Sequence, residues 1–220
     1  MKIGIIGAGH IGGMLARRLS AIGHDVAVAN SRGPETLADL AATTGATAAS
    51  VTEAVEGTDL VIVTIPEKSI PELPNDLFAK VPASTVVVDT GNYYPGRDGR
   101  IDAIEAGTAE SRWVANQLGR PVVKAFNNIY AQHIADNARP AGTPGRIALP
   151  VSGDDPEAKA VVMRLLDELG FDSVDAGSLD ESWRQQPGSP VYTSSLDAAG
   201  VRAALAAAKH DRSAEFRAER

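Results

Sequence analysis

The sequence predicts an α/β fold in which a doubly wound, mostly parallel sheet is followed by a small C-terminal lobe. Short apolar runs that suit buried strands alternate with helical patterns, which is typical of β-α-β units with right-handed crossovers. A glycine-rich turn, GAGHIG at residues 7–12, joins the first strand to the first helix. The 220 residues, of which 44% are hydrophobic, suffice for a core of this size.

The first part of the chain alternates strand and helix patterns with clear boundaries. Residues 2–6 read as a short buried strand and residues 26–29 as a second one. Between them, apolar side chains recur every three or four positions over residues 11–22, which predicts a helix that Gly23 ends. Pro34 suits the first position of the next helix.

The remaining strands of the main sheet are predicted from apolar runs. A weak strand near residues 46–48 and a short helix near residues 52–56 come first. Nearly continuous apolar sequence, as strands buried on both faces require, then predicts three further strands, at residues 60–63, 86–88 and 122–126. The loops at residues 91–100 and 136–146 are long enough to be functional or mobile.

A smaller unit follows the main sheet. Residues 147–151 and 173–174 form strand patterns, and the helix between them has a strong start, with an acid at its cap, Asp155, followed by proline. We therefore expect a main Rossmann-type domain at residues 1–145 and a small C-terminal α/β lobe packed on it at residues 146–220.

The end of the chain combines an apolar helix face with a charged tail. An alanine-rich helix follows Leu196, and its face of Val201, Leu205 and Ala208 either contributes to an interface between two copies or covers its own subunit. From Asp211 onward we expect the tail to be solvated or frayed.

Composition excludes several classes of function. The net charge of −7 and the pI of about 5.1 argue against nucleic acid or a membrane surface as a partner. The chain has no cysteine, and its four histidines are far apart, so we expect no metal site. No apolar run is long enough to span a membrane and the N-terminus does not resemble a signal peptide. We therefore expect a cytoplasmic protein.

The GAGHIG turn has the context of a dinucleotide-binding fingerprint, with a strand before it, a helix after it and a second strand ending about twenty residues further on. Gly7 permits the tight turn, Gly9 lets the backbone approach a pyrophosphate, and Gly12 lets helix and strand pack closely. The pyrophosphate then meets free N–H groups at the positive end of the helix dipole. Ile11 belongs to the same loop, and His10 either lies over the pyrophosphate or occupies a position that tolerates variation. The alternative is a glycine-rich turn without a ligand.

The end of the second strand decides between NAD and NADP. NAD enzymes carry an acid there that binds the ribose hydroxyls, whereas this chain has Asn30, Ser31 and Arg32. No carboxylate would repel a 2′-phosphate, the arginine fork suits phosphate, and the serine donates a hydroxyl. The pattern predicts NADP(H) as the cofactor, and the alternative for Arg32 is a solvated loop arginine.

Further candidate contacts stand at the carboxyl ends of strands, where open α/β sheets bind ligands. Ile65 and Pro66 end the fourth strand and are expected to pack against the nicotinamide or its ribose. Asn92 follows the fifth strand and could bond the carboxamide or a substrate group, and Asn127 and Asn128 follow the sixth. For each of these positions a local turn or cap is the alternative.

Four other residues invite a functional interpretation without establishing one. Asp89 is either a metal ligand or general base, or a local hydrogen-bond acceptor, which is the commoner role at a strand end. Tyr93 and Tyr94 are either ring-stacking lids or aromatic anchors of their loop, and Trp183 is expected to anchor the core or an interface. The sequence assigns no catalytic side chain.

Several segments, taken together, resemble the F420-dependent NADP oxidoreductases. They are the glycine loop with Asn30 to Arg32, TIP at residues 64–66, PVSGDD at 150–155 and VDAGSL at 174–179. VKAFN at 123–127 and DAGSL at 175–179 also resemble the cytosolic reductase domain of the STEAP ferric reductases. Thr64 and Ala125 lie within these segments and complete the expected cofactor-binding set. FNNIY at 126–130 and WRQQPG at 183–188 depart from the F420 enzymes.

The resemblance implies an NADPH-dependent oxidoreductase that transfers hydride between NADP(H) and a small-molecule acceptor, either a flavin or a deazaflavin such as F420. Such a transfer needs two stacked rings and exclusion of water, with little acid–base help. One alternative is a non-catalytic NADPH-binding module or sensor. Another is an imine or β-hydroxyacid-type reductase, which the few residues after Val174 disfavour because those enzymes carry a large helical domain there. Proteins of this group are often dimers, so we expect a homodimer.

Overall fold

The computed structural model describes residues 1–219, and its main sheet confirms the expected doubly wound fold. The six strands, all parallel, are β1 (Lys2–Ile6), β2 (Asp25–Ala29), β3 (Thr47–Ala48), β4 (Leu60–Val63), β5 (Val86–Asp89) and β6 (Val123–Lys124). Their spatial order is β3-β2-β1-β4-β5-β6, so the direction of winding reverses between β1 and β4. This reversal opens a crevice at the carboxyl ends of the strands.

Eight α-helices are present in the described chain, with short 3₁₀ turns between them. They are α1 (His10–Ala21), α2 (Ala38–Thr44), α3 (Pro95–Asp98), α4 (Asp102–Glu105), α5 (Glu110–Leu118), α6 (Ala131–Asp136), α7 (Pro156–Leu169) and α8 (Ala198–Ala207). The 3₁₀ turns are Pro34–Leu37, Glu53–Val55, Glu67–Glu72, Leu179–Gln185 and Ala214–Phe216.

Both faces of the main sheet are buried. Alternate side chains of β4 enter different core clusters, since Ile62 packs on the face that α1 covers and Val61 on the opposite face. Leu15 of α1 belongs to the first cluster and Val114 of α5 to the second. This two-sided burial explains why the central strands are apolar without interruption rather than alternating.

A second sheet extends the fold beyond β6. It contains β7 (Ala148–Val151) and β8 (Asp172–Asp175), which are parallel and are connected through α7. As the sequence predicts, Asp155 caps α7 by accepting a hydrogen bond from the N–H of Glu157 at 2.8 Å. The sequence boundary proposed between residues 145 and 146 falls just before β7, and the division into two domains stays a prediction.

A backbone bridge joins the two sheets. The N–H of Lys124 donates to the carbonyl of Ser152 at 2.8 Å, and the N–H of Ser152 donates to the carbonyl of Lys124 at 3.1 Å. The C-terminal residues are thereby fixed beside the carboxyl end of β6.

The three helices between β5 and β6 have no counterpart in the sequence analysis. α3 and α4 have four residues each, too few for an amphipathic period. α5 buries Glu110 and Ser111 beside Trp113, so polar residues interrupt its apolar face. Strand β6 is also shorter than predicted, because the backbone turns at Phe126 into the left-handed region, with φ of 63°.

The expectation of a solvated tail from Asp211 onward is wrong for Arg212 and Phe216. The Arg212 Nη2 donates to the buried carboxylate of Glu110 at 2.6 Å. Phe216 lies near Tyr94 and Tyr192, with ring centroids 6.1 and 6.5 Å away. Arg212 and Glu110 are 102 positions apart, so no local pattern could reveal this contact.

The apolar face of α8 covers its own chain. Val201 and Leu205 belong to a core cluster with Ala148 of β7 and Val174 of β8. None of the helices within residues 1–219 combines the length and the apolar character needed to cross a bilayer.

Candidate cofactor-binding cleft

The glycine loop closes the crevice at the end of β1 and is tied to both neighbouring strands. The N–H of Gly7 donates to the carbonyl of Ala29 at the end of β2, at 2.8 Å. The hydroxyl of Thr64, just after β4, donates to the carbonyl of Gly7 at 3.3 Å. The loop therefore brings the ends of three strands together.

The three glycines of the loop differ in what a side chain would meet. Gly7 has φ of +112°, and a Cβ there would lie 2.4 Å from the carbonyl oxygen of Thr64. At Gly12 a Cβ would lie 1.9 Å from the carbonyl oxygen of Gly7. At Gly9, by contrast, a Cβ would meet no atom of the described residues within 4 Å. Gly7 and Gly12 are therefore required by the fold itself, whereas Gly9 faces open space.

Open space at Gly9 coincides with the start of α1. Gly9 is the N-cap residue and has no side chain to accept hydrogen bonds from the first turn of the helix. The first turn also carries no acidic residue. The N–H groups at this end remain available to an external acceptor, and the helix dipole favours a negatively charged one. These residues fit the pyrophosphate of a dinucleotide.

A turn held by Asn30 shapes the loop after β2. The Asn30 Oδ1 accepts a hydrogen bond from the N–H of Arg32 at 2.9 Å, and its Nδ2 donates to the Thr36 hydroxyl at 2.9 Å. The side chains of Ser31 and Arg32 are exposed. An acid on the same loop, Glu35, folds back over Gly33. Asn30 thus fixes the loop and leaves Ser31 and Arg32 facing solvent.

A network of amides connects the ends of β5 and β6 to the C-terminal residues. The Asn92 Nδ2 donates to the carbonyl of Asn127 at 2.9 Å, and the Asn127 Nδ2 donates to the Asn92 Oδ1 at 3.0 Å. The Gln185 Nε2 donates to the Asn127 Oδ1 at 3.0 Å, and the Gln185 Oε1 accepts from the Ser152 hydroxyl at 2.9 Å. The amide of Asn127 is therefore fully engaged by protein partners.

The segment after β6 shows two further departures from ordinary packing. Phe126 has a left-handed backbone conformation, which costs a non-glycine residue about 1–2 kcal/mol. Asn128 is fully buried, yet neither atom of its amide has a hydrogen-bond partner within residues 1–219. Strain and unsatisfied polar groups cluster at functional sites, which makes this strand end a candidate site.

A group of buried charged side chains lies behind the segment that follows β5. Glu67, Asp89, Glu110 and Lys124 are each no more than 1% exposed. Lys124 Nζ lies 3.1 Å from Asp89 Oδ2. Arg97 Nη2 donates to Glu67 Oε2 at 3.0 Å, whereas Glu67 Oε1 has no partner in the described chain.

Burial and mutual repulsion decide the charge states of this group. Burial raises the pKa of Glu67 well above its usual range, and the neighbouring carboxylates of Glu110 and Asp89 raise it further. Burial also raises the pKa of Glu110, against the opposing effect of Arg212. For Lys124, burial acts to lower the pKa, but Asp89 and the two glutamates outweigh it and raise the pKa. Of the two glutamates, Glu67 is therefore the one whose carboxyl group retains a proton more readily.

Glu67→Gln is expected to flatten the fall of protein stability with pH. Because the pKa of Glu67 is raised in the folded state, its stabilising contribution is complete below the pKa of the unfolded chain and is lost as pH rises through the folded pKa. The loss amounts to about 1.4 kcal/mol for each unit of elevation. Urea unfolding measures the difference when both proteins are compared from below the pKa of a glutamate in the unfolded chain to above the raised pKa of the folded protein.

The matched control is Glu72→Gln, since Glu72 is an exposed glutamate at the end of the same 3₁₀ turn. It is expected to keep the wild-type dependence on pH. If the free energy of unfolding changed with pH in the same way for Glu67→Gln and the wild type, a protonated Glu67 would be contradicted.

The structure places the predicted site residues in two groups. Gly7, Gly12, Thr64 and Ile65 are in contact at the crevice, and the loop after β2 adjoins them. Asn92 and Asn127 form the second group, next to Ala125, which is fully buried. No hydrogen bond within residues 1–219 connects the second group to the glycine loop.

The other predicted contacts differ in exposure. His10 is exposed at the first position of α1, whereas Ile11, Ile65 and Pro66 are half-buried. Asp89 has local partners, since it accepts from the hydroxyl of Ser111 at 2.6 Å. In the part of the chain that the structure describes, no set of three or more histidine or acidic side chains could hold a metal ion. The cofactor contacts named from the sequence stay predictions.

Three of the buried charged residues, Glu67, Glu110 and Lys124, were not expected from the sequence, and neither was Gln185. One signal was present, because Lys124 interrupts an otherwise apolar strand sequence. A buried lysine needs a charged partner, and here the partner is Asp89. Glu67, Glu110 and Gln185 stand in ordinary polar surroundings in the sequence and carry no such signal.

Known proteins share both sequence and fold with this chain. The hypothetical protein SMa0349 of Sinorhizobium meliloti is 32% identical, and the match covers 89% of this chain and 95% of that one, with a TM-score of 0.75. A candidate F420-dependent NADP reductase of Arthrobacter sp. FB24 is 26% identical over 81% of this chain and 86% of its own, with a TM-score of 0.65. The YjhV protein of Escherichia coli K12 is 47% identical over 73 residues, which are 33% of this chain and 53% of YjhV.

A family model provides the most specific comparison. The model of the coenzyme F420-dependent NADP oxidoreductases matches residues 2–93. The matched region contains the glycine loop, the loop after β2, the end of β4 and Asn92. The family model, the sheet order and the Arthrobacter relative agree that this is the Rossmann fold of NADP-dependent oxidoreductases. Over residues 2–93, the chain is therefore similar to the family of F420-dependent NADP oxidoreductases.

Proposed function

We propose that the chain binds NADPH across the carboxyl ends of β1, β2 and β4 and passes hydride to a flavin or deazaflavin ring. The observation that carries the proposal is the contrast among the loop glycines. Only Gly9 of the three faces open space, and it does so at the N-terminus of a helix. A pyrophosphate there would accept hydrogen bonds from the backbone and lie in the favourable field of the helix.

The loop after β2 supports NADPH rather than NADH. Ser31 and Arg32 are exposed beside the end of β2, on a turn that Asn30 holds. A guanidinium and a hydroxyl at this position would bind a 2′-phosphate through charge-assisted hydrogen bonds. The adenosine would therefore lie over β2 and the nicotinamide over β4 and β5.

The residues on the nicotinamide side support positioning rather than acid–base chemistry. Ile65 and Pro66 are half-buried at the end of β4 and offer an apolar surface to the ring. Asn92 and Asn127 are held by each other and by Gln185, so they act in this proposal by fixing the shape of the cleft. NADPH, when bound, supplies the hydride. The chain orients the ring and excludes water.

Aromatic side chains near Asn92 support a flat, ring-shaped acceptor. Tyr94 and Tyr192 contact each other through their hydroxyls, and Phe216 packs near both rings. Burial raises the pKa of Tyr94, and the Tyr192 hydroxyl raises it further, so the Tyr94 phenol stays neutral. Aromatic rings of this kind can stack on a flavin or deazaflavin, and the guanidinium of Arg97 already lies over the Tyr94 ring, 4.9 Å from its centroid.

Parallel assays of NADPH oxidation test the acceptor. F420, FMN, FAD and a ferric chelate are each mixed with the protein and NADPH, and the loss of NADPH absorbance is followed. We expect turnover with F420 or a flavin. Tight NADPH binding without turnover for any acceptor would contradict the proposed transfer and favour a non-catalytic NADPH-binding module. Turnover with an imine or ketone alone would contradict a flavin-type acceptor.

A further inference from the structure

A cavity of about 770 Å³ lies apart from the glycine loop, between the C-terminal tail and the region around α4. Its walls come from the turn after α4, the residues that follow the 3₁₀ turn Leu179–Gln185, the end of α8 and the tail. None of the predicted cofactor contacts lines it. Small-molecule sites measure roughly 300–1,000 Å³, so the cavity has the size of a ligand site.

Cationic side chains are concentrated at this cavity, although the protein as a whole is acidic. Four cationic side chains line it, and only two acids, Glu105 and Asp211, stand among its lining residues. The cations are Arg100, Lys209, Arg212 and Arg217. The complete chain carries a net charge of −7. Asp102 and Glu110, which lie outside the lining, pair with Arg100 and Arg212. The cavity therefore offers an anion a concentration of cationic donors rather than a net positive charge.

Most of these cations are free to change partners. Arg100 pairs with Asp102 and Arg217 with Asp211, but both carboxylates are largely exposed, at 90% and 74%. Exposed ion pairs contribute only about 0–1 kcal/mol, so an incoming anion can replace them at little cost. Lys209 forms no ion pair in the part of the chain that the structure describes.

Unsatisfied donors stand in the wall of the same cavity. Gln186 is 9% exposed, and its Oε1 accepts a hydrogen bond from Arg212 Nη2 at 3.5 Å. Its Nε2 and the hydroxyl of Ser189 have no partner within residues 1–219. A buried donor without an acceptor costs about 1–3 kcal/mol, and an anionic ligand close to this wall would remove the cost.

We propose that this cavity is a second binding site, distinct from the cleft, for a small molecule that carries a phosphate group. The arginine fork of Arg217 matches two phosphate oxygens. Lys209 supplies a point charge, and the neutral amide and hydroxyl in the wall serve as additional donors. A phosphate group offers these donors three strong acceptor oxygens, one more than a carboxylate offers.

The test is calorimetric titration of the full chain with inorganic phosphate at constant ionic strength. Saturating NADP⁺ is present, so that phosphate cannot report on the glycine loop. We expect one phosphate site per chain. Lys209→Gln and Arg217→Gln are each expected to weaken phosphate binding about tenfold, the effect of losing one charge-assisted contact. Both side chains are exposed, and an unchanged urea midpoint confirms that each variant is folded.

Arg202→Gln is the matched control, because Arg202 is an exposed arginine of α8 that does not line the cavity. It is expected to leave phosphate binding unchanged. Three results would overturn the proposal: no phosphate binding in the presence of NADP⁺, equal weakening by Arg202→Gln, or tighter binding of succinate than of phosphate. None of them bears on NADPH binding at the glycine loop, so the two proposals fail independently.

Discussion

Gly9→Ala is expected to weaken NADPH binding roughly ten- to hundredfold, because the added methyl group occupies the space in which the pyrophosphate would lie. The same variant is expected to lose less than about 1 kcal/mol in free energy of unfolding, since it meets no atom of the described chain within 4 Å. Fluorescence titration with NADPH and urea unfolding measure the two effects.

Gly12→Ala is the matched comparison within the same loop. Its methyl group would lie 1.9 Å from the carbonyl oxygen of Gly7, so the loop and helix α1 must separate. Overpacking of this kind costs about 3 kcal/mol or more. We therefore expect Gly9→Ala to affect mainly NADPH binding and Gly12→Ala to affect mainly the free energy of unfolding. If both variants lost stability equally and Gly9→Ala bound NADPH as the wild type does, the pyrophosphate would not lie at Gly9.

Arg32→Ala is expected to weaken NADPH binding about ten- to hundredfold, while NADH binding changes less than about threefold. The reason is that only NADPH carries the 2′-phosphate that the guanidinium would bind. Dissociation constants for both nucleotides, together with kcat/KM once an acceptor is known, measure the change in preference.

Arg17→Ala serves as the control for the loss of a positive charge. Arg17 is exposed on α1, beyond the first turn of the helix, and is expected to affect both nucleotides little. An equal loss for NADPH and NADH in Arg32→Ala would show that Arg32 does not distinguish the two cofactors.

Much of the fold follows from local patterns in the sequence. The central strands are apolar without interruption because both faces of the sheet are covered. The start of helix α7 can be predicted from Asp155 at its cap. The region between β5 and β6 escapes prediction because its helices are very short or, in α5, bury Glu110 and Ser111. Polar residues on a buried face erase the periodicity on which prediction depends.

The residues of the candidate site also differ in whether local sequence patterns can predict them. Gly7, Gly9 and Gly12 can be assigned from spacing alone, since their tasks depend on one strand, one turn and one helix. Glu67 and Arg212 cannot, because their environment is created by residues distant in sequence, such as Glu110. Contacts of this kind become visible only when the tail is folded back onto the main sheet.

The most direct test of the cofactor assignment is a crystal structure of the protein with NADP⁺. We expect the pyrophosphate at the N-terminus of α1 beside Gly9, the 2′-phosphate within hydrogen-bond distance of Ser31 and Arg32, and the nicotinamide near Ile65. A pyrophosphate away from Gly9, or a 2′-phosphate directed away from both Ser31 and Arg32, would contradict it.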